Sequence, residues 1–111
     1  GVQMSSKWVQ MGSVRRFDLV SSFKPQAIAP LERVVDVYQA WKAWEIAMRR
    51  GADEAITDML RRHLLDACAD VIQATLNLVA ALGVEDFRPY LKACELRNRE
   101  RGRITDGKVD E

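Results

Sequence analysis

Apolar residues recur along this chain at helical spacing, in three segments separated by glycine and proline. In the first, Pro30 to Arg50, Leu31, Val34, Val35, Tyr38, Trp41 and Trp44 follow the i, i+3, i+4 rule and predict one helix. Pro30 suits its first turn, and Arg49 and Arg50 ahead of Gly51 suit the negative end of its dipole. The second segment opens on Asp53 as N-cap with Glu54 in the first turn. It carries apolar residues from Ile56 to Leu82, and Gly83 supplies a left-handed stop. Between Ala67 and Leu82 it is apolar on more than one face, which predicts burial among several helices. The third segment, Asp86 to about Arg101, places Phe87, Tyr90, Leu91 and Cys94 on one stripe, with Asp86 as cap and Pro89 in the first turn.

The flanks are less regular. Pro25 and Pro30 read as brackets of a short linker. Lys7 to Phe23 is apolar without a clean period, so residues 1–29 are expected to form an arm or a short helix, with Gly1 to Gln3 read as an appended leader outside the fold. Residues 30–104 form the helical domain, and the polar tail 105–111 is expected to be mobile. The expected fold is all-α, an antiparallel helical bundle completed by oligomerisation, because the long second helix has more apolar faces than one small chain can cover.

Composition narrows the function. The 111 residues suit one domain. Seventeen Lys and Arg against sixteen Asp and Glu leave a net charge of +1, too little excess for a nucleic-acid surface. No apolar run reaches the ~18 uninterrupted residues of a membrane span, and no signal peptide is visible, so a cytoplasmic protein with no membrane partner is expected. Cys68 and Cys94 lie inside helical patterns and read as reduced packing residues.

Candidate chemistry rests on acidic residues inside apolar helix faces. Glu32 and Asp36 are four apart on the first helix, and Asp66 and Asp70 repeat that spacing on the second. Asp70, within LLDACADVIQATLNL, is expected to be buried, where an ionised carboxylate requires pairing, hydrogen bonds or a metal. Four carboxylates from two helices would make an oxygen cage for Mg²⁺ or Mn²⁺, although i, i+4 charges are more often a solvated face. Asn77, two turns beyond Asp70, either bonds a neighbouring backbone or reads a ligand edge.

DACADVIQATLNLVAALG followed by VEDFRPYLKACELRNRERGRI resembles the second half of a MazG-like nucleoside triphosphate pyrophosphohydrolase, and VVDVYQAW resembles that family's first catalytic helix. The likeness spans roughly residues 30 to 104. It implies an all-α homodimer or tetramer that cleaves a nucleoside triphosphate to the monophosphate and pyrophosphate with Mg²⁺. The family's signature is Glu-Glu-x-x-Glu on one helix and Glu-x-x-Asp on the next. Glu32 matches its first glutamate, Asp36 replaces its third and Asp70 matches its aspartate, but Arg33 and Ala67 stand where two further glutamates belong. Asp66 is the nearest substitute for the residue lost at Ala67. The resemblance thus gives Glu32, Asp36, Asp66 and Asp70 as metal ligands, with no catalytic group apart from them. It gives Asn77, Arg97 and Arg101 as nucleotide contacts, within a segment that also holds Arg99 and Arg103.

Other polar residues favour plainer roles. His63 lies in RRHLLD with no Cys or His at zinc spacing and reads as a surface residue. Trp41 and Trp44 read as core or subunit contacts. No phosphate-binding glycine loop and no Ser/His/Asp constellation is present. Two functions remain open, a Mg²⁺-dependent nucleotide pyrophosphohydrolase and a catalytically degenerate homologue acting as a nucleotide-binding or protein-interaction module. In the second, Arg33 pairs with Glu32 or Asp36 in place of a metal.

Overall fold

The computed structural model describes residues 7–18 and 22–106. Three α-helices follow in order, α1 Phe23–Arg49, α2 Glu54–Ala81 and α3 Arg88–Glu100, and no strand occurs among the described residues. The protein is all-α. It divides into two compact units, Gly1–Leu78 and Val79–Glu111, so the boundary falls inside α2. Gly107 to Glu111 of the expected tail lie outside the described residues, as do Leu19 and Val20 of the N-terminal segment.

In the first unit, α1 begins at Phe23, not at Pro30. The two prolines do not bracket a linker. Pro25 falls in the first turn, where backbone N–H groups have no intrahelical acceptor anyway. Pro30 lies inside the helix, offers no N–H to the ladder, and is carried by the turns on either side. Residues 7–18 form an arm without helix.

The burial pattern shows which faces turn inward within this unit. On α2 the protected positions include Thr57, Leu60, Leu64, Ala67, Val71, Ala74 and Leu78, spaced alternately three and four apart, with Cys68 beside them and every residue from Gln73 to Ala81 at least partly covered. On α1 they include Gln26, Pro30, Arg33, Val37, Ala40, Trp44 and Ala47 at the same spacing, with Ala29, Glu45 and Ile46 beside them. The connection between the helices, residues 50–53, has the length of an αα-hairpin. Alanines at the centre of such a seam let two helices approach closely. Ala67 and Ala74, both 8% exposed, are the only buried residues among those described.

The apolar stripe expected to form the core of the first helix lies elsewhere. Leu31, Val34, Val35, Tyr38 and Trp41 are all exposed, from 43% at Trp41 to 68% at Leu31, and only Trp44 of that set turns inward. Tyr38 and Trp41 stack at 6.0 Å between ring centroids, and the Lys42 ammonium sits 5.4 Å from the Tyr38 ring. The first helix therefore has two apolar faces, of which the chain itself covers the smaller.

In the second unit, α2 ends and α3 begins. Asp86 Oδ1 accepts the Arg88 backbone N–H at 3.1 Å, and the Arg88 guanidinium grips both Asp86 oxygens at 2.9 Å. The hydrogen bonds from Arg88 hold the Asp86 carboxyl below its ordinary range, and Asp86 in turn raises Arg88. Phe87 and Tyr90 stack at 5.6 Å, in line with the stripe read from the sequence. Cys94 is exposed and free, which corrects its reading as a packing residue, while Cys68 is free and half-buried.

All three helices stop the same way. Gly51, Gly83 and Gly102 take positive φ, and each donates its N–H three residues back, to Met48, Ala80 and Arg99 respectively. The residues that follow, Ala52, Val84 and Arg103, donate to the carbonyls of Ala47, Val79 and Asn98. These paired bonds are Schellman motifs, which satisfy end carbonyls that otherwise lack partners. A Cβ added at Gly51 or Gly83 would meet nothing within 4 Å, so only its conformational cost remains. Gly51→Ala and Gly83→Ala should each lower stability by about 1–2 kcal/mol. The check is a reduced urea midpoint with an unchanged m-value.

An 18-residue window of α2 has a mean hydropathy of 1.4, so by length and composition alone this helix could cross a membrane. The stretch is interrupted, as the sequence suggested, since any such window must begin after Arg62 and contains Asp66 and Asp70.

Candidate functional site

The seam sorts the acidic residues in an unexpected way. Arg33 and Ala67, the two departures from the MazG-like signature, both face inward. Glu32, Asp36, Asp66 and Asp70 are all exposed. A residue adjacent in sequence to an inward one points about 100° away around the helix, which is why Glu32 and Asp66 miss the seam. Asp70 precedes Val71 in the same manner. The expected burial of Asp70 is therefore corrected. Its carboxylate stands in water, and the desolvation argument for a metal at that position lapses in the single chain.

Arg33 is engaged in an ion pair of its own. Its Nε lies 3.5 Å from Asp36 Oδ2, an i, i+3 ion pair on α1 with both side chains about half-exposed. Among the described residues, no three His, Cys, Asp or Glu side chains come together in a group able to hold a metal ion. Within one chain, these residues do not fit a Mg²⁺ or Mn²⁺ cage.

Asn77 has an engaged side chain. Its Oδ1 accepts the Phe17 backbone N–H at 3.0 Å and the Gln73 Nε2–H at 3.0 Å. Gln73 Nε2 also donates to the Arg15 carbonyl at 2.9 Å. Of the two roles read from the sequence, Asn77 fulfils the bonding of a neighbouring backbone. Gln73 escaped the sequence reading, although two carboxamides four residues apart in an apolar stretch share a face and were the available signal.

Arg97 and Arg101 lie in the second unit and are exposed. The anchored arginine there is Arg99, which bonds Glu95 Oε2 at 3.2 Å, the Asp106 carboxylate at 3.2 Å and the Asp106 carbonyl. His63 is exposed, in agreement with a surface role. Trp44 is half-buried on the seam and Trp41 is exposed on the outer face of α1.

No protein-family model, curated protein or solved structure matches this chain.

Proposed function

We propose that the chain is a catalytically degenerate relative of the MazG-like pyrophosphohydrolases, a helical module that assembles with a second copy through the outer face of α1. The observation that carries this reading is the placement of Arg33. It pairs with Asp36 and turns inward, whereas the four carboxylates that would serve as ligands stay outside the seam. A unit positive charge about 5 Å from a divalent ion costs on the order of 6 kcal/mol even at an effective dielectric of ~20. Solvent reduces that figure, but half of it already weakens metal binding about a hundredfold.

Self-assembly is supported by what the chain leaves uncovered. Leu31, Val34, Val35, Tyr38, Trp41 and Met48 form one exposed apolar face on α1. Contiguous patches of several hundred Å² mark interaction surfaces. A second copy is the occupant proposed for this face, since two-fold pairing would cover the same apolar residues on both chains at once. Lipid suits the long α2 less well, because Asp66 and Asp70 at membrane depth would each cost about 3 kcal/mol.

The test is direct. The purified chain should release no pyrophosphate above background from any dNTP with Mg²⁺ or Mn²⁺, and light scattering should give about twice the 12.6 kDa chain mass. Thermal shifts with a panel of dNTPs separate a nucleotide-binding module, which the ligand stabilises, from one that serves interaction alone. Brisk metal-dependent turnover would reverse the reading, and would mean that carboxylates from two copies complete a site together.

A further inference from the structure

We infer that Gln73 and Asn77 form a peptide-backbone clamp on α2 and that the chain's own Arg15–Phe17 segment is its resident occupant, a strap over that face. The inference is independent of the nucleotide reading. The clamp is two carboxamides one helical turn apart, each already oriented by the bond from Gln73 Nε2 to Asn77 Oδ1. Together they present one donor and one acceptor outward. Gln73 gives its donor to the carbonyl of Arg15, and Asn77 gives its acceptor to the N–H of Phe17. That is the donor–acceptor pair one edge of a peptide offers, matched without reference to side-chain identity. The bonds join residues 58 and 60 positions apart, so they are tertiary contacts and not local turns.

The side chains of residues 15–17 add little to this grip. Arg15 pairs with Asp18 inside the arm, Arg16 turns to the Phe17 carbonyl, and Phe17 is 60% exposed. What holds residues 15–17 is their main chain. While the strap is in place, Gln73 Nε2 and Asn77 Oδ1 are both engaged, and any other ligand of those two atoms must first displace it. The chemical class that fits the vacated clamp is a short peptide segment offering one carbonyl and one N–H.

The experiment separates backbone from side chain in the full chain. Phe17→Ala keeps the N–H, whereas Phe17→Pro removes it and leaves every helix residue unchanged. Asn77→Asp keeps the acceptor, whereas Asn77→Leu removes it without altering the arm. Trypsin cleavage at the Arg15–Arg16 bond, resolved from the neighbouring Arg16 site by mass spectrometry and divided by the rate for the same bond in a short peptide of matching sequence, reports how often the strap lifts, because cleavage follows the population of the open form. Losing one net hydrogen bond should raise that population about fivefold. Phe17→Pro and Asn77→Leu should therefore be cut at least about fivefold faster than wild type, while Phe17→Ala and Asn77→Asp stay near the wild-type rate. Far-UV circular dichroism on the same samples confirms that the helices persist, and the Phe17→Pro arm answers the question even if Asn77→Leu fails to fold. Equal cleavage rates for Phe17→Pro and Phe17→Ala would overturn the clamp.

Discussion

Val35→Asp is expected to dissociate the assembly and, with it, much of the folded structure. In an isolated chain the substitution would be nearly silent, because Val35 is 53% exposed and surface changes usually fall within about 0.5 kcal/mol. If the outer face of α1 is covered by a second copy, the new carboxylate is buried without a partner, at about 3–5 kcal/mol. Three kcal/mol already weakens association about a hundredfold. The cost reaches folding as well. The single chain fully buries no described residue larger than alanine, and marginal stability leaves no reserve for a lost interface. Sedimentation velocity and thermal melting at micromolar concentration should show a lighter and less stable species. A Val35→Asp protein with wild-type mass and melting temperature would show that this face is solvent in the native state.

The second large effect concerns the inward positions. Ala67→Glu places a carboxylate in the seam, and Arg33→Glu plus Ala67→Glu places two there while breaking the pair with Asp36. Without metal, Ala67→Glu alone should cost about 1–3 kcal/mol, because a longer side chain at a position 8% exposed overpacks the seam. If these are the ligand positions that the MazG-like resemblance implies, millimolar Mg²⁺ or Mn²⁺ should return much of that loss in the double variant. Metal at a hundred times its dissociation constant stabilises by about 2.7 kcal/mol. The double variant should also gain metal-dependent pyrophosphate release from at least one dNTP, with each single change giving less than the pair. Thermal shift against metal concentration decides the matter. A double variant that is destabilised and indifferent to metal would detach this seam from the MazG-like reading.

The stops of α1 and α2 were legible at Gly51 and Gly83, because a glycine after a helical period has one common use, whereas Gly102, which closes α3, was hidden in a polar stretch. Asp53 before α2 was legible too, and its Oδ1 accepts the Ala55 N–H at 3.3 Å. The start of α1 was not. Pro25 and Pro30 carry the signature of breakers, and only the surrounding turns decide that a helix continues through one of them. The inward face of α1 was misread for a deeper reason. Periodicity finds apolar stripes, and α1 has two. The richer one, through Leu31, Val35 and Tyr38, is exposed, while the seam uses Val37, Ala40, Trp44 and a charged Arg33. Burial of Asp70 failed by the same route, since its apolar neighbours in sequence are not its neighbours around the helix. The two bonds that hold Arg15 and Phe17 left no trace in the arm's own sequence, because main-chain groups are common to all residues. Only Gln73 and Asn77, at the receiving end, could have announced it.

The two buried alanines are one heptad apart, so they lie at the same angle around α2, on a seam that the 50–53 connection closes at one end. Gln73 stands about 30 Å along the helix from that connection. There, and one turn further at Asn77, the main chain of residues 15–17 is held. The hairpin thus has a hinge at one end and a clasp towards the other, and the clasp closes on backbone alone.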